Sequence, residues 1–122
     1  MKNFLFGRWR AITPAWKGFL RLLKEDSVKV QIFIGFIVSI IGFIVGITKT
    51  EFLIQTLAIA MVLGAESFNT AIEEVADFIH PELHPKIGLI KDIAAGAVFM
   101  VCVFAILIGL YIYFPYLFLM LF

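Results

Sequence analysis

From Ile93 to Phe122 the chain runs for 30 residues without a charged side chain. A helix needs about 20 apolar residues to cross ~30 Å of hydrocarbon, so this stretch exceeds one span. Two more runs precede it. Gln31 to Ile47 is uncharged and sits between Lys29 and Lys49; extended back to Val28 it also reaches about 20 residues. The next starts at Phe52 and stays apolar, apart from Gln55 and Thr56, until Glu66, then keeps helical character to Ile79. The pattern predicts an all-α membrane protein with spans at about residues 28–47, 52–79 and 93–114. The last span tilts or leaves the bilayer near Pro115, with Tyr111, Tyr113 and Tyr116 as an aromatic belt at that exit.

Composition agrees. The chain is 62% hydrophobic with 14 Phe and a mean hydropathy of +1.04. A soluble domain of 122 residues could not cover so much apolar surface. Seven of the ten basic residues precede the first long run, Lys86 and Lys91 follow the second, and only Lys49 lies between the first two. The positive-inside rule then puts the N-terminus and the Ile79–Lys91 loop in the cytoplasm. Cys102, the single cysteine, rules out an intrachain disulfide and reads as a packed thiol. Phe4-Leu5-Phe6 is too short and too soon followed by Arg8 to be a secretory signal.

Residues 13–25 read differently. Thr13-Pro14 has helix-start chemistry. Trp16, Phe19, Leu20 and Leu23 recur at helical spacing, with Lys17, Arg21 and Lys24 on the other side. This predicts a basic amphipathic helix in the headgroup plane, either a plain anchor or a cover over an interfacial site. Gly42 with Gly46, and Ala94-Ala95-Gly96-Ala97, read as close-packing positions in lipid. No internal repeat or long linker divides the chain, so residues 1–122 form one domain.

The chemistry is concentrated at one place. On a helix, Glu66, Asn69, Glu73 and Asp77 fall within an arc of roughly 80° and rise about 16 Å; Glu74 lies farther around. Acids facing water at a helix end would explain Glu74 and Asp77. They would not explain Glu66 and Asn69, two to three turns further in, where a carboxylate costs roughly 2.5–3.5 kcal/mol to insert. A desolvated Glu66 suits proton abstraction from an alcohol. Glu73, nearer the surface, suits a divalent cation. Magnesium takes oxygen ligands and joins one or two carboxylates to substrate phosphates; Glu25 or Asp26 would supply the second. Glu82, His84, Lys91 and Asp92 offer polar groups close by, although Lys91 could equally be a membrane anchor. His80 and His84 lack the further ligands that zinc needs. No Gly-rich phosphate loop is present.

The string Glu66-x-x-Asn69-Thr70-Ala71-x-Glu73-x-x-x-Asp77, with Lys91-Asp92 fourteen residues later, closely resembles the signature of the bacterial integral-membrane diacylglycerol kinase family, which includes undecaprenol kinases. The resemblance extends over essentially the whole chain. It implies homotrimers, with sites shared between subunits, that transfer the ATP γ-phosphoryl group to a lipid alcohol such as diacylglycerol or undecaprenol at the bacterial inner membrane. By position, Glu66 resembles the catalytic base and Asn69 the active-site amide. Glu73 and Glu25 resemble the Mg2+ ligands, Glu25 being placed by Glu25-x-x-Val28-Lys29. Asp77, Glu82, His84, Lys91 and Asp92 match nucleotide-site positions. Arg8 (or Arg10) and Trp16 match N-terminal substrate positions. Aligning Trp16 and Glu25 together requires a one-residue deletion, and Pro14 stands where some members carry an aromatic. The motif variant, with Asn69-Thr70 and Ala94-Ala95-Gly96-Ala97, is closer to the undecaprenol branch.

Two other classes compete. A small proton- or cation-coupled transporter also uses an intramembrane Glu, but predicts charge near the midplane rather than along a surface loop. A structural subunit, with its acids paired to a partner, predicts no catalysis to lose on Glu66→Gln. No nucleic-acid partner is expected.

Overall fold

The computed structural model describes residues 2–121, with side chains at residues 9, 10 and 12–121. Arg8 therefore lies outside the described side chains. Four helices follow in order: α1 Lys2–Leu22, α2 Asp26–Val45, α3 Lys49–Ile79 and α4 Pro85–Leu121. The last three are long and apolar enough to cross a membrane, and α3 packs against both α2 and α4.

Helix boundaries follow local chemistry, with two departures from the sequence reading. Helix α1 does not begin at Thr13; it runs through Pro14 from Lys2. Proline gives up one helical hydrogen bond and crowds the preceding turn, yet the helix-compatible residues on both sides continue the helix past it. The Ile79–Lys91 loop contracts to residues 80–84, because Pro85 opens α4. Its fixed φ and absent N–H suit the first helical position. At the other end α4 carries on through Pro115 to Leu121.

The α2–α3 turn is tightly specified. Gly46 adopts φ 76° at the end of α2, a left-handed conformation open to glycine. Thr48 and Glu51 then form a reciprocal capping box at the start of α3. Gly46 is thus a turn residue rather than the packing position its spacing from Gly42 suggested.

Small residues set the helix spacing. Val28, Gly35 and Gly42 are the buried positions of α2, seven residues apart. A Cβ at Gly35 would sit 2.8 Å from Ile59 Cγ2, and one at Gly42 would sit 2.8 Å from the Tyr113 hydroxyl. Close backbone approach is the main packing device available in lipid. Of the Ala94–Ala97 group, only Ala94 is buried.

Two of the three belt tyrosines turn inward. Tyr111 is 86% exposed. The Tyr113 hydroxyl, by contrast, donates to Gln55 Oε1 at 2.6 Å and lies 3.1 Å from the Val38 carbonyl oxygen. Tyr116 donates to Glu51 Oε2 at 2.7 Å. Gln55 is buried near the start of α3, where an unsatisfied polar group is costly, and Glu51, already accepting from Thr48, takes Tyr116 as a further donor.

Candidate active site along α3

The apolar run of α3 gives way at Glu66 to the polar stripe, and the helix is unbroken throughout. Glu66, Asn69, Glu73 and Asp77 therefore share one face. Glu66 and Asn69 are each 8% exposed, whereas Glu73 and Asp77 are open. The stripe grades from dry to wet.

Each member has a partner. Gln31 of α2 donates from Nε2 to Glu66 Oε2 at 3.1 Å. Asn69 Nδ2 donates to Glu73 Oε1 at 3.0 Å, one turn along the same helix. Lys91 Nζ lies 2.6 Å from Asp77 Oδ1, and the Glu73 charge acts on the same ammonium. The short 80–84 connection folds the second turn of α4 back beside α3, which brings Lys91 against the stripe at Asp77.

The connection itself is ordered by its own polar groups. The His80 and His84 rings are 5.0 Å apart, and His80 Nδ1 lies 3.0 Å from the Glu82 carbonyl oxygen. His84 Nδ1 accepts from the Lys86 backbone N–H at 3.2 Å, which satisfies an otherwise unpaired donor at the start of α4. His84 thus caps a helix, and the Glu82 and Asp92 side chains are exposed.

On the N-terminal side, Glu25 is the extended residue before α2 and makes no side-chain capping bond. Asp26 is paired with Lys29 at 2.7 Å, which leaves Glu25 the better candidate of the two for a cation. Trp16 is 59% exposed, its ring 5.5 Å from Phe19. Arg21 reaches Glu74 at 3.1 Å, an exposed pair joining α1 to α3; such pairs contribute little to stability. Sequence reasoning missed both Arg21 and Gln31. Gln31 had a signal, as an amide at the head of an otherwise apolar run, since polar side chains in spans tend to find interhelical partners.

The donor set suits magnesium. Among the described residues no group of three or more His, Cys, Asp or Glu gathers to hold a metal. Asn69 Oδ1 is buried without a hydrogen-bond partner, on the amide whose nitrogen holds Glu73. The open carboxylate of Glu73 is a hard oxygen donor of the kind this ion accepts.

Comparison with known proteins converges on one group. The family model for prokaryotic diacylglycerol kinase matches residues 13–113. Over 78 residues the chain is 41% identical to undecaprenol kinase of Bacillus subtilis (strain 168), covering 64% of this chain and 63% of that protein. Over 87 residues it is 30% identical to diacylglycerol kinase of Haemophilus influenzae (strain ATCC 51907 / DSM 11121 / KW20 / Rd), covering 70% and 74%. The match thus spans just under two thirds of the undecaprenol kinase. Nothing in these similarities supports a transporter.

Proposed function

The chain belongs to the prokaryotic diacylglycerol kinase family, and from that premise we propose that it phosphorylates a membrane lipid alcohol with ATP. The observation that carries this reading is the buried Glu66 held by Gln31 at one end of a stripe. Its other end, at Glu73, Asp77 and Lys91, is open to water.

The hydroxyl oxygen of the lipid attacks the γ-phosphorus, the bond to the β-phosphate oxygen breaks, and ADP leaves. Glu66 takes the hydroxyl proton as the new bond forms. Phosphoryl transfer depends on positioning and charge neutralisation more than on covalent participation. Lys91, steadied by Asp77, lies on the open side to meet phosphate oxygens, and Asn69 orients Glu73. Glu25 and Glu73 would hold Mg2+, which when bound neutralises phosphate charge. Glu82, His84 and Asp92 border the nucleotide, His84 by shaping the α4 start; Arg8 and Trp16 serve the substrate side.

The site opens to the cytoplasm, the membrane is the bacterial inner membrane, and α1 lies along its surface. One stripe on one helix cannot enclose ATP alone, which calls for an oligomer, and the family resemblance implies a homotrimer. Undecaprenol is the first acceptor to test, in keeping with the 41% identity to an undecaprenol kinase. Purified protein is incubated with γ-labelled ATP, Mg2+ and either undecaprenol or diacylglycerol. Label should enter at least one lipid, and Glu66→Gln should abolish it. No label in either lipid, from folded protein, ends the reading.

A further inference from the structure

The open end of the stripe is crowded with negative charge. Glu73, Glu74 and Asp77 lie near the end of α3, and Glu25 precedes α2. A nucleotide brings several more charges, and the chain has no Gly-rich loop whose backbone N–H groups would cradle them. Cationic side chains must therefore do part of that work. Lys91, joined to Asp77 at 2.6 Å, approaches from α4. A second cation approaches from α1: Arg21, in the last turn of that helix, donates from Nη2 to Glu74 Oε2 at 3.1 Å. On either side of this pair stand the residues read as Mg2+ ligands. Glu73 adjoins Glu74 on α3, with Cα atoms about 3.8 Å apart. Glu25 follows Arg21 through a closed turn, in which the Lys24 N–H donates to the Arg21 carbonyl and the Glu25 N–H to that of Leu22.

We propose that Arg21 binds the phosphate chain of the nucleotide, giving up Glu74 to do so, an inference that rests on the kinase reading above. The pair seen in the structure is easily exchanged. It is single-pronged, and both side chains are largely exposed, at 70% and 62%; ion pairs of that kind hold weakly. Phosphate offers the guanidinium two parallel charge-assisted bonds in the geometry of its fork, and it outcompetes one exposed carboxylate oxygen. Without nucleotide, Glu74 keeps the guanidinium beside Glu73. The competing account makes the pair a plain tether between α1 and α3.

The two accounts differ in sign. Binding of a non-hydrolysable ATP analogue is measured by equilibrium dialysis in an uncharged detergent, where the nucleotide supplies the phosphate. Arg21→Gln should weaken it about tenfold or more, and the KM for ATP should rise to match. Glu74→Gln, which frees Arg21, should tighten it about two- to fivefold, and that gain should shrink when Arg21 is already replaced. A tether instead makes both single variants bind worse by similar factors, and that result overturns the proposal. So does an Arg21→Gln protein that binds the analogue as the parent does. If Arg21→Gln loses its helical circular dichroism, Arg21→Lys decides. It keeps the charge but not the fork, so a loss of at least about threefold is expected, and parent-like binding overturns the proposal. Repeating the measurement with phosphatidylglycerol separates the sources of phosphate. A loss in Arg21→Gln that appears only with this anionic lipid assigns Arg21 to headgroups and overturns the nucleotide contact. Weakened analogue binding in Arg21→Gln, with no lipid phosphorylated by the parent, would instead remove the kinase reading and keep the phosphate site.

Discussion

Gln31 Nε2 donates to Glu66 Oε2 at 3.1 Å across the α2–α3 contact, and this bond decides which way the buried carboxylate faces. A hydrogen bond to a charged group contributes roughly 1.5–3 kcal/mol. Gln31→Leu should therefore lower kcat by about 10- to 100-fold with the KM for ATP unchanged. Steady-state kinetics with saturating lipid measure it. Wild-type kcat in this variant would show that Glu66 is oriented by something else.

Glu66→Gln keeps the shape and the Gln31 neighbour but removes the base. General-base catalysis contributes about 10²- to 10⁴-fold, and the variant should lose at least that much activity. Its helical circular dichroism should match the parent. A variant that retains more than a tenth of the activity would exclude Glu66 as proton acceptor.

Lys91 pairs with Asp77 at 2.6 Å where both are partly open to solvent, so its contribution to stability is small. Lys91→Met should move the thermal midpoint by no more than about 3 °C. Because the lysine would meet phosphate, the KM for ATP should rise by roughly tenfold or more. Loss of stability with an unchanged KM would reassign Lys91 to the fold.

Glu73 receives Asn69 at 3.0 Å and is otherwise open. In Glu73→Gln the Mg2+ concentration for half-maximal activity should rise about tenfold, since magnesium sites of this type draw on only one or two carboxylates. A magnesium titration at fixed ATP gives the value. The same titration on Glu25→Gln asks whether Glu25 is the second ligand; an unshifted midpoint there would remove it from the site.

Gly42 and Tyr113 meet closely: a Cβ on Gly42 would lie 2.8 Å from the tyrosine hydroxyl and 2.9 Å from Ile47 Cδ1. Gly42→Ala should destabilise the protein, and Tyr113→Phe should cost about 1 kcal/mol through the lost bond to Gln55. Together they should cost less than the sum, because the second change removes one of the two atoms that the first one strikes and leaves only Ile47 to give way. Unfolding in mild detergent or bicelles gives the coupling; strict additivity would mean that α2 shifts to avoid the clash.

How much was legible beforehand depends on range. Three spans, their order and the alignment of Glu66, Asn69, Glu73 and Asp77 on one face follow from hydropathy and a 3.6-residue period, both properties of contiguous sequence. The extra length of α1 past Pro14 and the shrinking of the 80–84 connection were missed, because a proline marks a boundary only where its neighbours let the helix end. Tyr113 and Tyr116 looked like belt residues until Gln55 and Glu51, some sixty positions earlier, claimed their hydroxyls.

Periodicity along the chain was enough to make this a helical membrane protein with a line of acids on one helix. Which amide holds Glu66, which carboxylate meets Lys91 and which amide takes the Tyr113 hydroxyl were settled only by folding. Those contacts join residues 14 to 58 positions apart, and no local pattern encodes a partner that arrives from another helix.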